Sequence, residues 1–115
     1  MRSDIEFLER LYGHFNAREM DAALAAMHPE VMWANGLEGG HVHGHDGVRE
    51  YWTRQWAMMD SRAEPISFSV GEDGTGYVEV HLTARDLSGN VLFDEKARHV
   101  FQIEDGLVRR FDIQK

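Results

Sequence analysis

The apolar residues of this chain change period partway along. Up to Met59 they recur at helical spacing, and from Ile66 onward they alternate one by one. A single 115-residue domain that switches in this way has few options. It must lay amphipathic helices on one antiparallel sheet and share one core between the two layers.

The helical half begins with Ser3-x-x-Glu6, which reads as a capping box opening the first helix. Ile5, Leu8, Tyr12 and Phe15 follow on one stripe, widened by Phe7 and Leu11, until Asn16-Ala17-Arg18 breaks the run. A short second helix carries Met20, Ala23, Leu24 and Met27, and Pro29 is expected to end it at His28. Both stripes read as core packing. Val31 to Asn35 reads as a strand with Val31, Trp33 and Asn35 on one side, and Gly36 to Gly44 as loop. Asp46 is placed to cap a third helix whose inner face is Val48, Tyr51, Trp52, Gln55, Trp56 and Met59, with Pro65 marking the way out. The stretch from Val31 to Trp56 holds all three tryptophans and three of the seven histidines, so it is expected to form one wall and the rim of a pocket.

In the alternating half, Ile66, Phe68 and Val70 interleave with serines, and Gly71 to Gly76 turns the chain. Tyr77 to Leu87 alternates again, Ser88-Gly89-Asn90 turns back, and Val91 to Glu104 and Leu107 to Ile113 complete a four-strand meander. Read as a three-residue loop, Glu104-Asp105-Gly106 pairs Ile103 with Leu107 and sets His99 across from Phe111. That register gathers Phe101, Ile103, Leu107, Phe111 and Ile113 on one apolar face together with His99, and turns Asp112 away.

Composition narrows the partners. The net charge of −8 argues against nucleic acid and anionic membranes. Without cysteine there are neither disulfides nor thiolate metal ligands. MRSDIEFLER has no signal-peptide pattern and no apolar run is long enough to span a bilayer, so a cytoplasmic location is expected.

Phe15-Asn16-Ala17-Arg18 before the Asp21 helix, the strand Val31-Met32-Trp33, Gly44-x-x-x-Val48-Arg49-Glu50-Tyr51-Trp52 and the ending from His99 to Val108 occur in an order that resembles a known group. It is the nuclear-transport-factor-2-like superfamily, also called the cystatin-like or cone fold, and within it the chain is most similar to SnoaL-like proteins. The resemblance implies an α+β fold of three N-terminal helices on a strongly curved antiparallel sheet, in the order α-α-β-α-β-β-β-β, as one domain over residues 1–115. It also implies a cone-shaped pocket, no cofactor, and a homodimer through the convex sheet face. Carried over position by position, Asn35, Tyr51, His81, His99, Phe111 and Ile113 would line the pocket, with Trp33 nearby. The ketosteroid isomerases of the superfamily have a general-base aspartate that falls at Asn35, a tyrosine that falls at Leu11 beside Tyr12, and a protonated aspartate that falls at His99. Steroid-isomerase chemistry does not carry over on that pattern.

An imidazole titrates near neutrality, so His81 and His99 are the candidate acid and base. Asn35 would be a polarising hydrogen-bond donor, Glu79 would orient His81, and Trp33, Tyr51, Trp52, Phe111 and Ile113 would contact substrate. His81 shares its strand face with Glu79, Thr83 and Arg85, which reads equally as a solvent face, while Val78, Val80 and Leu82 face the other way. His41-x-His43-x-His45 would project to one side of an extended segment and could hold a metal. Three functions stay open at this point. One is a cofactor-free isomerase, cyclase or dehydratase acting on a small, largely apolar carbonyl compound. The others are a non-catalytic ligand-binding or dimerisation module, and a metal-dependent enzyme built on the loop histidines.

Overall fold

The computed structural model describes residues 2–114, with side chains from residue 4. Helix α1 (Arg2–Asn16) buries Leu8, Leu11 and Tyr12 on the expected stripe. Ser3, half of the expected capping box, lies outside the described side chains. The helix ends at Asn16, and two residues on Arg18, whose φ of 62° is left-handed, turns the chain. The break is also an anchor. Asn16 donates its amide to the Ala63 carbonyl at 2.9 Å and accepts from the Ala63 N–H at 3.0 Å. Arg18 donates to Asp60 at 2.9 Å and to the Ser61 carbonyl at 2.5 Å. These bonds occupy backbone groups on a sheet edge that would otherwise be open to another chain.

Helix α2 (Met20–Ala25) ends earlier than expected, and strand β1 (Met27–Ala34) starts at Met27. Pro29 lies inside β1, where the pairing with the final strand is irregular between Met27 and Met32, so its missing N–H interrupts no regular ladder. The glycine-rich loop contains a short strand, β2 (His41–His43), which forms a hairpin with β1. Helix α3 (Gly44–Met58) starts two residues before Asp46, so that residue is not its cap. It sits in the first turn, where a carboxylate suits the helix dipole.

Strands β3 (Met59–Val70), β4 (Gly76–Asp86), β5 (Val91–Glu104) and β6 (Leu107–Gln114) form the meander. Strand β3 begins directly after α3, and Pro65 lies within it, on an edge strand, where the register shifts between Pro65 and Ser67. The shift leaves Ile66 exposed. The six-stranded sheet has the order β2-β1-β6-β5-β4-β3 and is antiparallel except for the β1–β6 pair, which is parallel. Three helices on this curved, open sheet make the expected α+β cone, with β2 as an addition to the expected order.

The last hairpin corrects the expected register. Glu104 pairs with Leu107, so the loop is the two residues Asp105 and Gly106, both at positive φ (55° and 77°) as a type I′ turn requires. A bulge then restores the apolar face: Ile103 pairs with Val108, Gln102 with Arg110, and Phe101 with Phe111. Val108 takes the inward place expected of Leu107, and His99 lies opposite Ile113 rather than Phe111.

Trp52, Phe101, Leu8, Val31, Val48, Val78, Val80 and Val108 are sealed in the core between helices and sheet. Each such side chain stabilises the fold by about 1.5–3 kcal/mol relative to an exposed one. Among the described residues no helix is long and apolar enough to cross a membrane.

Candidate functional site

On β5, side chains two apart share a face. Phe93, Glu95, His99 and Phe101 all face the concave side and line one cavity of about 310 Å³. Helix α1 contributes Leu11, Tyr12 and Phe15 to it, α3 contributes Tyr51, Trp52 and Gln55, and β1 contributes Trp33. Trp33 stacks on Phe111 with ring centres 4.1 Å apart and meets Trp52 edge-on at 5.3 Å. The walls are aromatic, and the rings pack against each other without filling the space between them.

His99 is the buried polar centre, only 6% exposed. Its Nδ1 lies 2.6 Å from the Tyr12 hydroxyl, and the two rings are nearly parallel. Phe111 meets the imidazole edge-on at 4.7 Å. Burial lowers the pKa of His99 to about 3, because a charged ring here would lose its hydration. Burial also pushes the Tyr12 phenol well above its usual value. Near neutral pH both groups are therefore uncharged, and the neutral imidazole carries one proton on one of its two nitrogens.

Hydrogen-bond bookkeeping selects the nitrogen. Tyr12 has no second hydrogen-bond partner among the described residues. If Nδ1–H donated to the tyrosine oxygen, the tyrosine O–H would be left without an acceptor. If Tyr12 donates to Nδ1, the phenol proton and Nδ1 are both satisfied, and the imidazole proton sits on Nε2. On that tautomer the cavity receives a fixed N–H donor. Tyr51 is a second phenol on the wall; it accepts the Gly36 N–H at 3.0 Å, and burial raises its pKa as well.

Trp33, Tyr51, Trp52, Phe111, Ile113 and His99 come together as expected. Three expected site residues do not join them. His81 and Glu79 lie on the opposite face of β4, because Val78, Val80 and Ala84 take the buried parity. His81 bonds Asp94 at 2.5 Å and Glu79 accepts from Arg98 at 2.8 Å, both on the convex side. The pairing of His81 with His99 from one wall is thus overturned by strand parity. Asn35 is buried, but its side chain is spent on the hairpin. Its oxygen accepts from Leu37 and Glu38 N–H groups at 3.0 and 2.9 Å, and its amide donates to Glu38 at 3.1 Å.

The loop histidines diverge as well. His41 bonds Asp112 at 2.8 Å, His43 bonds Glu30 at 3.0 Å, and His45 donates to the Met27 carbonyl at 2.8 Å. A metal site needs ligand atoms that converge, and these three point to separate partners. Among the described residues, the group whose ligand atoms do lie close together is His28, Glu104 and Asp105, none of which lines the cavity and two of which are exposed.

Two residues of the cavity are not marked as site residues by the sequence. Tyr12 reads as core packing on its apolar stripe, although it stands beside Leu11, where the steroid isomerases' tyrosine falls. Glu95 is the only carboxylate among the lining residues. Counting back from His99 by twos would have found it.

The SnoaL-like domain family model matches residues 8–111. Among solved structures, a nuclear-transport-factor-2-like protein of unknown function from Burkholderia pseudomallei is 24% identical, with a TM-score of 0.85, over 99% of this chain and 91% of its own. TerC, co-crystallised with polyporic acid, is 26% identical with a TM-score of 0.81, over 95% and 88% of the two chains. A candidate polyketide cyclase from Sinorhizobium meliloti is 19% identical with a TM-score of 0.81, over 95% and 94%. No curated protein matches.

Proposed function

Since the chain belongs to the SnoaL-like family, we propose that it is a cofactor-free enzyme that moves protons on a small, largely apolar carbonyl compound, as an isomerase, cyclase or dehydratase. The observation that carries this reading is the buried Tyr12–His99 pair, which presents one neutral N–H donor to an aromatic cavity. Such a donor stabilises charge that develops on a substrate oxygen, and a water-poor site strengthens the effect.

A neutral imidazole whose conjugate acid has a pKa of about 3 is a weak base. Proton removal falls instead to Glu95 on the same strand face. Its carboxylate takes a proton from an acidic C–H or O–H conjugated with the carbonyl. The electron pair moves to the carbonyl oxygen, where His99 Nε2–H receives it. Return of the proton at another position gives an isomer; attack of the enolate on a second carbonyl carbon breaks that C=O π bond and closes a ring, and the new alkoxide takes the proton back from Glu95. No electrons leave the substrate, so the step needs no redox partner. The crystallisation of the similar TerC with polyporic acid supports a small organic occupant.

Deuterium exchange from heavy water into a panel of small aryl ketones, followed by proton NMR, tests the reading. Wild-type protein is expected to accelerate exchange for at least one ketone, and His99→Leu to cut the acceleration about 10²–10³-fold. Binding of ketones without exchange in either protein would leave a ligand-binding module.

A second copy packed on the convex face belongs to the same reading. Sedimentation at micromolar concentration should report twice the 13.2 kDa chain mass, and a single chain mass would remove the dimer.

A further inference from the structure

Helix α3 lines two spaces with neighbouring parts of its surface. Tyr51 and Gln55, one helical turn apart, face the cavity. Arg54 and Met58, also one turn apart, join Ala57 in lining a second hollow of about 380 Å³. The loop after β1 supplies the opposite wall of both. Leu37 is the residue common to the two linings, so the cavity and the outer hollow adjoin at its side chain. Ties to α3 bracket this leucine. Gly36 before it donates to the Tyr51 hydroxyl at 3.0 Å, and Glu38 after it accepts from Arg54 at 3.2 Å. The Leu37 N–H itself is held by Asn35 Oδ1 at 3.0 Å.

The outer hollow exposes carbon to water. Leu37 is 38% exposed and Met58 53%, two of the six large apolar side chains that stand exposed among the described residues. Apolar residues scattered singly over a surface need no explanation, but these two stand on opposite walls of one hollow beside an apolar cavity. The charges at that hollow are already paired, Glu38 with Arg54. A polar group entering it would give up water for no new partner, whereas hydrocarbon would take water off carbon on both surfaces. Methionine adapts its shape, which suits a flexible chain.

Resting on the catalytic reading above, we infer that the hollow between the Leu37 loop and the end of α3 is a tail subsite, which takes a flexible alkyl substituent of the substrate where it leaves the cavity past Leu37. The substrate is then a ketone whose ring system occupies the aromatic cavity and whose alkyl chain lies against Leu37, Ala57 and Met58. Chain length becomes a term in specificity, because each methylene that reaches the hollow adds to the apolar area removed from water.

The probes are acetylnaphthalene and its ethyl, butyl and hexyl derivatives, with the chain on the far ring and affinity measured by calorimetry. Wild-type protein is expected to gain about fourfold in affinity per buried methylene along the series. The double variant Ala57→Glu with Met58→Glu should cut that gain below about 1.5-fold per methylene and leave acetylnaphthalene within about twofold of wild type. Both positions are exposed and glutamate is a good helix former, so the fold is expected to persist. A second measurement needs no variant fold. The methyl resonance of Met58, in protein with isotope-labelled methionine methyls, should move with the hexyl ketone and stay in place with acetylnaphthalene. Wild-type affinity that is flat along the series, a gain that survives the double variant, or a Met58 methyl indifferent to the hexyl chain would overturn the subsite. Deuterium exchange judges the catalytic reading separately. Affinity that grows with the chain, without exchange in any of these ketones, would overturn that reading and support the subsite, and exchange with flat affinity would do the reverse. No binding of any of them would overturn both.

Discussion

Strand β5 presents Asp94 to one side of the sheet and Glu95 to the other, and the same sheet sends His81 outward and His99 inward. The result is two sets, each of one histidine and one carboxylate. Outside, His81 and Asp94 bond directly at 2.5 Å in a solvated position. Inside, His99 is bonded to a phenol rather than a carboxylate, and Glu95 stands apart from it along the strand. The outer pair satisfies itself and has little left to offer a ligand. The inner set is held apart, with His99 buried and kept neutral, and in the proposed reaction both members face one substrate. Separation and desolvation are what distinguish the inner set, and the proposed reaction rests on them.

The contrast can be broken by substitution. Glu95→Gln removes the proposed proton acceptor and should lower the rate of catalysed exchange about 10²–10⁴-fold, the range for a general base. Wild-type rate in this variant would move the base elsewhere. His99→Leu should lower kcat about 10²–10³-fold, as for loss of one oxyanion donor.

Acid should separate the two faces next. The pKa of His99 is depressed in the folded protein, so the unfolded chain binds the extra proton first. Its contribution to stability is complete above the ordinary histidine value near 6.5 and is lost as pH falls from there toward about 3. Within that window unfolding free energy should drop by about 1.4 kcal/mol per pH unit from this residue. Urea titrations at several acidic pH values should show this slope in wild type and a shallower one in His99→Leu. Identical slopes would mean that the ring is not desolvated.

Tyr12→Phe leaves the imidazole in place and frees its tautomer. The expected loss in kcat is about tenfold, with about 1 kcal/mol of stability from the missing hydrogen bond. An unaltered kcat would show that the phenol does not set the proton on Nε2. His81→Ala should change exchange by less than about twofold, since His81 lies outside the cavity lining. A large effect there would make the convex face part of the site.

Much of the fold was legible because burial follows period. Helical stripes from Leu8 to Phe15 and from Val48 to Trp52 mark what must face the sheet, and the alternation from Phe68 to Ile113 marks the sheet itself. Strand ends were less legible, since Met27 and Met59 fit a helix stripe as well as a strand start. Turns with bulges were not legible: a two-residue turn with a bulge at Arg109 and a three-residue loop both bring Phe111 inward, and only the pairing of Ile103 with Val108 tells them apart.

By itself, the amino-acid order determined the helices, the meander, an aromatic wall and His99 on an apolar face. Tertiary structure decided the rest. Which parity of β4 is buried depends on what packs above it, so His81 went outward once Val78 and Val80 met the helices. The partner of His99 comes from a helix 87 positions away in sequence, and no local pattern encodes a bond of that span. Electrostatics followed from that enclosure, because an imidazole acquires a pKa near 3 only when the whole chain has closed around it.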